Sequence, residues 1–351
     1  NDNDQDLSNL PSLHHFSNQD SIPHIALLAS GGGQRAAVGL VGFLYQMEKE
    51  GLLDTLLYLG GVSGSTWSMS SLYSDPQWST NMDRAVSRLS GPGVELEQVL
   101  AWLGDRAKEE HFSLADIWAV LTSAKYHVFH QMDLRHLSDE ASRNATNPYP
   151  IYSAIEKKWK WFEVSPHEAG FTEMGVFVET SLLGSKFQSG ELLEVTPEMD
   201  MVRLQGVCLT IPPCLQSKEK LHLVDAGLLI NVAYPPFLGD KRDIDLMIAP
   251  EFSAGNMFEV LDYATEVRKP FPEIDNKILE ERDWPKDCYV FEGKEKEPTI
   301  IYMPLFNRQN CKGLFHWCGC RLVVLFLHNS EMVCNGISPG STPPLAQCQL
   351  G

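Results

Sequence analysis

Hydrophobic and polar positions follow one another along this chain in the order typical of an α/β fold. Residues 22–29 form a mainly apolar run of the kind found in buried parallel strands, and a helical pattern follows over 36–50. A second strand is predicted over 56–62 and a second helix over 66–73, with glycine-containing turns between strand and helix. The repeated order of strand, tight turn and helix predicts a mainly parallel central sheet.

The later part of the chain predicts further elements with less regular spacing. Helices are predicted over 94–129 and 256–269, separated by several short strands and followed by an irregular acidic stretch over 270–285. The strands are predicted at 149–155, 161–164, 175–178, 221–225 and 244–250. We expect the last two to be neighbours in the sheet.

Composition divides the chain into three segments. Residues 1–21 carry four Asp and no Lys or Arg, which predicts a flexible lead-in. Residues 22–310 are predicted to form the folded domain, and residues 311–351 are an atypical tail that holds five of the eight cysteines. The absence of cysteine from the first 207 residues argues against a disulfide scaffold and favours a reducing compartment.

Charge and hydropathy exclude several classes of partner. The formal net charge of −18 argues against a nucleic-acid partner and against simple electrostatic adhesion to anionic lipid. Docking on neutral lipid through apolar groups stays open. No signal-peptide pattern and no apolar run of the roughly 18–20 residues needed for a spanning helix are found, so a cytoplasmic protein is expected.

A serine between glycines is the first candidate for chemistry. In Gly61-Val-Ser-Gly-Ser65 the serine, Ser63, follows a predicted strand and precedes a predicted helix. A sharp turn there would expose the hydroxyl above a helix N-terminus, which favours developing negative charge. The alternative is a flexible strand–helix turn, and Ser65 stands where the usual esterase pattern has glycine.

A second glycine-rich turn precedes the serine by about 30 residues. Gly31, Gly32 and Gly33 follow the first strand, and consecutive glycines let backbone N–H groups converge on one point, as an oxyanion hole requires. They could instead cradle a nucleotide phosphate, but neither a dinucleotide-binding fingerprint nor a P-loop is present. Two such turns fit acyl transfer better.

An activated serine needs a base, and an aspartate is the best candidate. The histidines at 14, 15, 24, 167 and 222 stand in no catalytic pattern, and a structural role is the simpler interpretation. Asp225 ends a short apolar strand, where open α/β sheets place their ligands. Reduced solvation there would raise its basicity and make direct proton abstraction from serine plausible.

Three motifs in this order resemble the cytosolic phospholipase A2 family (group IV), which is related in fold to patatin. They are Ser30–Ala36 (SGGGQRA), Gly61–Trp67 (GVSGSTW) and Val224–Gly227 (VDAG), and similar stretches occur at Trp161–Pro166, Gly184–Phe187 and Asn231–Phe252. The resemblance covers roughly residues 22–206 and 221–308. It implies a three-layer patatin/lysophospholipase-like α/β fold and makes residues 22–310 a phospholipase catalytic domain.

The resemblance also implies the roles of individual residues. Ser63 would be the nucleophile and Asp225 the general base of a Ser–Asp dyad without histidine, while Gly32 and Gly33 would supply oxyanion N–H groups. Arg35 would help to position the phospholipid head group, and Arg242, 17 residues after Asp225, matches the family's second active-site arginine. Without the resemblance, a surface ion pair is the default interpretation of either arginine.

The chain also departs from the family pattern. Only residues 207–220 separate the middle of the domain from the Asp225 strand, where the family has a long cap, so we expect a reduced or missing cap. Cys311, His316, Cys318 and Cys320 match no common zinc spacing, and neither a metal nor a cofactor is expected. The 21 residues ahead of the first strand are too few for a calcium-binding β-sandwich, which implies a calcium-independent member.

The sequence therefore predicts a calcium-independent hydrolase of glycerophospholipid acyl esters. A lysophospholipase or transacylase with the same dyad is the close alternative, and a catalytically silent form that binds lipid or a protein is the alternative from another class. The expected partner is a phospholipid membrane surface, bound peripherally on intracellular membranes. Protein partners, head-group preference and the position of the cleaved ester are not predicted.

Overall fold

The computed structural model describes most of the predicted domain. It covers residues 22–311, apart from 90–93, 110–111, 113, 127–132, 144–145, 157–158, 208–222, 240, 254–258 and 283. The predictions for the lead-in at 1–21, for the reduced cap around 207–220 and for the tail beyond 311 therefore fall almost wholly outside the described residues. His14, His15, His222, His316, Cys318 and Cys320 lie there too.

A mixed sheet forms the centre of the fold, with parallel strands in the middle and antiparallel strands at both edges. The strands are β1 Ile25–Ala29, β2 Leu56–Val62, β3 Tyr149–Glu156, β4 Lys160–Val164, β5 Glu168–Phe171, β6 Val176–Glu179, β7 Lys186–Gln188, β8 Glu191–Glu194, β9 Leu223–Asp225, β10 Leu246–Glu251, β11 Tyr289–Phe291 and β12 Thr299–Pro304. The order across the sheet is β11-β12-β10-β1-β2-β3-β4-β5-β6. The five strands from β12 to β3 run parallel, β11 and β4–β6 are antiparallel, and β7 and β8 form a separate hairpin.

Helices and short 3₁₀ turns cover both faces of this sheet. The helices are α1 Gln34–Lys49, α2 Gly64–Leu72, α3 Met82–Leu89, α4 Leu96–Arg106, α5 Leu114–Tyr126, α6 Met201–Val207 and α7 Glu259–Val267. Helix α1 ends at a glycine cap: Gly51, just past the helix, has φ +68°, and the Leu52 N–H donates to the Met47 carbonyl at 2.8 Å. A glycine in this conformation satisfies the last helical carbonyls at little steric cost.

The hydrophobic core lies on both faces of the sheet because side chains of a strand alternate between its two sides. Leu27 of β1 belongs to the cluster that α1, α2 and α3 cover, together with Leu40 and Leu44 of α1. Leu28, the next residue of β1, belongs to a second cluster with Trp161 and Phe237 on the opposite face. Because β1 is buried on both faces, its sequence is an unbroken apolar run. The two covered faces and the sheet between them form the three-layer architecture that the sequence predicts.

The structure confirms most of the predicted elements and corrects several. The first strand, the first helix, the second strand and the second helix are present with ends within three residues of those predicted. The stretch 94–129, predicted to be helical, contains the two helices α4 and α5. The prediction that the strands at 221–225 and 244–250 are neighbours was wrong: β9 pairs with β3, and β10 lies between β1 and β12. The sequence pattern missed β5, β7, β8, β11 and β12.

None of the helices within the described ranges has the length and apolar character needed to cross a lipid bilayer.

Candidate active site

The register of the two first strands brings both glycine-containing turns to one edge of the sheet. β1 and β2 are parallel neighbours, and Ala29, the last residue of β1, lies opposite Gly61 near the end of β2. The turn of residues 30–33 and the serine turn at 63 therefore leave the sheet side by side. This is the carboxyl edge of the parallel strands, where open α/β sheets bind their ligands.

Ser63 occupies a strained turn directly before helix α2. Its φ is 50° and its ψ is −122°, in a region that costs a residue with a side chain on the order of 1–3 kcal/mol. The Thr66 N–H donates to the Ser63 carbonyl at 2.9 Å, which closes the first turn of α2 behind the serine. Ser63 is only 8% exposed, and it lies at the helix end that favours negative charge.

Close packing explains the small residues around this serine. A Cβ on Gly64 would lie 1.9 Å from the Gly33 carbonyl oxygen, and one on Gly61 would lie 2.3 Å from the Met69 sulfur. A side chain at either position would therefore clash with the flanking elements. At the fifth position, the Ser65 hydroxyl accepts from the Val62 N–H at 2.9 Å and so braces the end of β2 from inside the turn.

Asp225 reaches Ser63 because β2 and β9 both pair with β3 and run towards each other, so that their ends meet. The last residue of β2, Val62, lies opposite Ser153 of β3, and β9 runs antiparallel along the same side of β3 until Asp225 lies opposite Ala154. The Ser63 hydroxyl donates to Asp225 Oδ2 at 2.8 Å. The prediction placed the aspartate at the correct edge, although β9 is an antiparallel strand and not part of the parallel set.

The surroundings of Asp225 suit a general base. Burial raises the pKa of its carboxyl above the ordinary value, and hydrogen bonds from Gly227 and Ser63 oppose that rise. The Gly227 N–H donates to Oδ1 at 2.8 Å, which fixes the carboxylate and leaves Oδ2 for the serine. A desolvated carboxylate in direct contact with a hydroxyl can accept its proton without an intervening histidine.

The first glycine turn presents backbone donors beside the serine. Gly32 has φ +133° and Gly33 has φ +62°, and a Cβ on Gly32 would lie 2.9 Å from the Phe252 carbonyl oxygen. Among the described residues, no acceptor takes the N–H of Gly32 or of Gly33, while the Gly31 N–H donates to the Asn231 carbonyl at 2.7 Å. Two unoccupied donors next to a nucleophile are the elements of an oxyanion hole.

Arg35 borders this turn. Its Nη2 atom lies 3.4 Å from the point that a Cβ on Gly32 would occupy, and its Nε donates to the Phe252 carbonyl. The guanidinium also lies over the Phe306 ring, 5.0 Å from the centroid. Burial lowers the pKa of Arg35, and the negative charge of Glu251 counteracts this. The structure thus fixes a cation beside the candidate oxyanion donors.

Arg242 is engaged elsewhere. Its side chain is buried, its Nη2 donates to Glu163 Oε1 at 2.7 Å, and its Nη1 donates to the Pro236 carbonyl at 2.7 Å. Glu163, on β4, is itself fully buried, so the pair joins the antiparallel edge of the sheet to the loop before β10. The structure brings Ser63, Asp225, Gly32, Gly33 and Arg35 together. It shows no contact between Arg242 and that group, and a role of Arg242 in substrate binding stays a prediction.

The described histidines lie apart from the dyad. His24 is exposed and bonds to the Asp243 carbonyl, and His167 bonds to the Tyr149 hydroxyl at 2.8 Å. In the part of the chain that the structure describes, no histidine is a hydrogen-bond partner of Ser63 or Asp225. Within the same ranges, no group of three His, Cys, Asp or Glu side chains is arranged to hold a metal ion.

Sequence reasoning missed two residues that border this site. Asn231 lies between the glycine turn and the Asp225 turn, and Glu259 accepts hydrogen bonds from it. Asn231 belongs to the run 231–252 that resembles the family, but the resemblance assigned it no role. Glu259 is one of several acidic residues in its region, and only the tertiary contact distinguishes it.

Comparison with known proteins supports the family resemblance that the motifs indicate. A family model described as the lysophospholipase catalytic domain matches residues 25–89, which hold both glycine turns and Ser63. Mouse cytosolic phospholipase A2 gamma is 34% identical over 472 residues, and the match covers 83% of this chain and 78% of that protein. The chain belongs to the cytosolic phospholipase A2 family. The human gamma protein is 27% identical, with 84% of this chain and 81% of that protein covered.

A solved structure of the family shares the fold. Human GIVD cytosolic phospholipase A2, in complex with methyl gamma-linolenyl fluorophosphonate inhibitor and terbium chloride, matches with a TM-score of 0.70 at 28% identity. The match covers 84% of this chain and 51% of that one, and the chain likewise spans 49% of the human zeta relative. The patatin-like α/β fold expected from the motifs is confirmed, and the chain is shorter than these cytosolic phospholipases A2.

Proposed function

We propose that this member of the family hydrolyses a fatty acyl ester of glycerophospholipids through an acyl-enzyme on Ser63. The observation that carries the proposal is the 2.8 Å hydrogen bond from the Ser63 hydroxyl to Asp225 Oδ2, beside two unoccupied backbone donors. Family membership supplies the substrate class. The dyad and the order of the steps are our inference from the geometry.

Acylation follows from the arrangement of these groups. Asp225 takes the proton as Ser63 Oγ attacks the ester carbonyl, and the carbonyl oxygen becomes an oxyanion that the Gly32 and Gly33 N–H groups face. The tetrahedral intermediate collapses, the bond to the alcohol oxygen breaks, and Asp225 returns its proton to that oxygen. A lysophospholipid leaves, and the acyl group stays as an ester on Ser63.

Deacylation reverses the roles with water as the nucleophile. Asp225 takes a proton from water, hydroxide adds to the acyl carbonyl, and Ser63 regains its proton as the fatty acid leaves. Arg35 lies beside the oxyanion donors, where its charge would stabilise either the developing anion or the phosphate of a bound phospholipid. Apart from the lipid and water, these steps use only groups of the protein.

A lysophospholipase or transacylase activity is the second candidate for the same dyad. The observation that favours it is the match of residues 25–89 to a lysophospholipase catalytic domain. All three activities share the acyl-enzyme and differ in the donor lipid or in the acceptor. Initial rates on a diacyl phospholipid and on a lysophospholipid, with and without an added alcohol acceptor, separate them.

We further propose that the cap around 207–220 is reduced and that the protein acts peripherally on intracellular membranes from the cytoplasm. The alignment with the human gamma protein extends over 444 residues, to which this chain contributes 84% of its 351 residues. That protein therefore has segments without a counterpart here, which supports a reduced cap. The substrate itself is a membrane lipid, which supports a membrane surface as the partner, and nucleic acid is not expected as one.

A fluorophosphonate probe tests whether the dyad is reactive. The expected result is one covalent adduct by intact mass, mapped by peptide analysis to Ser63 and absent from Ser63→Ala. Ser142→Ala is the matched control, because Ser142 is an exposed serine whose hydroxyl bonds only locally to the Asp139 carbonyl at 3.0 Å. Failure of the wild-type protein to react would instead support the silent, lipid-binding or protein-binding alternative.

A further inference from the structure

Asn231 lies between the two turns that carry the proposed catalytic groups. Its backbone carbonyl accepts from the Gly31 N–H at 2.7 Å. Its side-chain Oδ1 lies 3.1 Å from the point that a Cβ on Gly31 would occupy and 3.3 Å from the corresponding point on Gly227. Gly31 begins the oxyanion turn, and the Gly227 N–H holds Asp225. Asn231 is therefore in contact with both halves of the site.

Glu259, the first residue of α7, holds Asn231 in this place. Its Oε1 accepts from the Asn231 backbone N–H, and its Oε2 lies 3.3 Å from the Asn231 side-chain nitrogen. The backbone N–H of Val232 is a third donor to the same carboxylate. A carboxylate that accepts three N–H groups fixes both the backbone and the side-chain orientation of Asn231.

We propose that Glu259 is a positioning residue for the reaction proposed above. Its carboxylate orients Asn231, and Asn231 keeps the Gly31 turn and the Asp225 turn at the separation that the Ser63 reaction requires. Among the described residues, Glu259 makes its hydrogen bonds to Asn231 and Val232 and none to the dyad or the oxyanion donors. This inference rests on the proposed function, since it concerns the geometry of the same dyad.

The ionised form of Glu259 is the one suited to this role, because a carboxylate accepts hydrogen bonds at both oxygens. Burial raises the pKa of Glu259 to about 7, and the nearby negative charge of Glu251 adds to the rise, while the donors on Asn231 and Val232 oppose it. The other titratable groups that face it are the buried phenols of Tyr234 and Tyr302. Tyrosine stays neutral over the pH range of interest.

A change of activity with pH follows from this position. As the pH falls through about 7, Glu259 takes up a proton and its hydrogen bonds with Asn231 weaken, so kcat should fall. Stability should change in the opposite direction. A carboxyl whose pKa is raised on folding stabilises the folded state at pH values below its ordinary pKa of 4.5. This contribution is lost as the pH rises through about 7.

The variant that tests the proposal is Glu259→Gln, which keeps the shape but cannot ionise. One of the two terminal oxygens is replaced by an amide nitrogen, which donates, so the side chain cannot accept all three N–H groups. We expect kcat on a monomeric soluble ester at about pH 8 to fall on the order of 10-fold or more, as displaced reacting groups predict, with KM changed less than about twofold. The fall of kcat on the acid side of the pH profile (the acid limb) should lose the part centred near pH 7. Any limb due to Asp225 should stay.

Glu198→Gln is the matched control. Glu198 is also a half-buried carboxylate that accepts a backbone N–H and a side chain, both from Ser138, but it lies away from the dyad. We expect this variant to keep the wild-type kcat and acid limb. An equal loss of kcat in both variants, in proportion to their loss of thermal stability, would overturn the positioning role, as would an unchanged acid limb in Glu259→Gln.

Asn231→Ala keeps the proposal testable if Glu259→Gln does not fold. Removing the side-chain amide takes one donor from the ionised carboxylate, so the Glu259 limb should move to higher pH and kcat should fall several-fold. A limb that stays in place or moves to lower pH would overturn the proposal. Turnover by the wild-type protein is measured alongside: its absence would refute the proposed function, whereas wild-type turnover with an unmoved limb would refute only the role of Glu259.

Discussion

At the scale of single residues, the site depends on positions that admit no side chain. Gly64 packs against the Gly33 carbonyl, Gly61 packs against Met69, and Gly32 faces the Phe252 carbonyl oxygen. These contacts press the oxyanion turn, the serine turn and the end of β10 together. A methyl group at Gly64 or Gly32 must move backbone atoms, and backbone atoms carry the proposed oxyanion donors, whereas one at Gly61 must displace the Met69 side chain.

Gly32→Ala tests this packing. The new Cβ would lie 2.9 Å from the Phe252 carbonyl oxygen at a φ of +133°, so the turn must shift and its N–H groups must leave their positions. We expect kcat to fall on the order of 10²-fold, comparable to the loss of an oxyanion donor. Steady-state kinetics on a soluble ester, with the melting temperature measured in parallel, check this.

Gly42→Ala is the control for that substitution. Gly42 lies within α1, and a Cβ there would meet nothing within 4 Å. Alanine in a helix interior is favoured over glycine by roughly 0.5–1 kcal/mol, so this variant should be slightly more stable and fully active. Equal activity of the two variants would show that the position of the Gly32 turn does not control turnover.

The same scale shows what the sequence can and cannot reveal about the site. Ser63 and Asp225 are recognisable because short motifs surround them, and the structure places them in contact. Asn231 and Glu259 were not predicted, because their role depends on contacts across 28 residues of sequence between ordinary-looking positions. The role of Arg242 was implied by the family resemblance, and its observed partner, Glu163, lies 79 residues away.

At the scale of elements, local pattern predicted the parallel half of the sheet better than the antiparallel half. The βαβ elements from β1 to α2 have strong signals, with apolar runs buried on both faces and glycine-marked turns. β5 is four residues long and β11 is three, too short for periodicity to be informative. The position of β9 depends on β3, which extends beyond the end of β2 and leaves a free edge there.

The buried ion pair between Arg242 and Glu163 joins β4 to the loop before β10, and its removal should lower the free energy of unfolding. Arg242→Met would leave the carboxylate of Glu163, which is fully buried, with Lys241 as its remaining cation at 2.6 Å. Removing one partner of a buried pair costs about 3–5 kcal/mol, and the remaining lysine should reduce this to roughly 2 kcal/mol. Urea unfolding measures the difference in the free energy of unfolding.

The double variant Glu163→Gln with Arg242→Met provides the comparison for this pair. Without the buried charge, most of the lost stability should return, because the cost comes mainly from the unpaired carboxylate. A normal stability of Arg242→Met together with a raised KM for phospholipid, but not for a simple ester, would instead favour the role in substrate binding that the family resemblance implies.

At the scale of the whole molecule, the proposed reaction requires no calcium ion from solution. In the proposed reaction, Asp225 would transfer the proton and Gly32 and Gly33 would stabilise the oxyanion, so the chain would provide both functions. We therefore expect hydrolysis of a soluble ester, and of phospholipid vesicles, to be unchanged by a calcium chelator. A loss of several-fold that added calcium restores would contradict calcium independence.

The central claim is that Asp225 is the base that activates Ser63, and turnover by Asp225→Asn tests it most directly. Asparagine preserves the shape and the contact with the Gly227 N–H but cannot accept the serine proton. We predict a loss of about 10³-fold or more in kcat, close to that of Ser63→Ala, with no further loss in the double variant, because members of a catalytic unit are not additive. His167→Gln, the control, should keep most of the activity. Substantial turnover by Asp225→Asn, together with inactivity of a histidine variant, would contradict the dyad and indicate a histidine as the base.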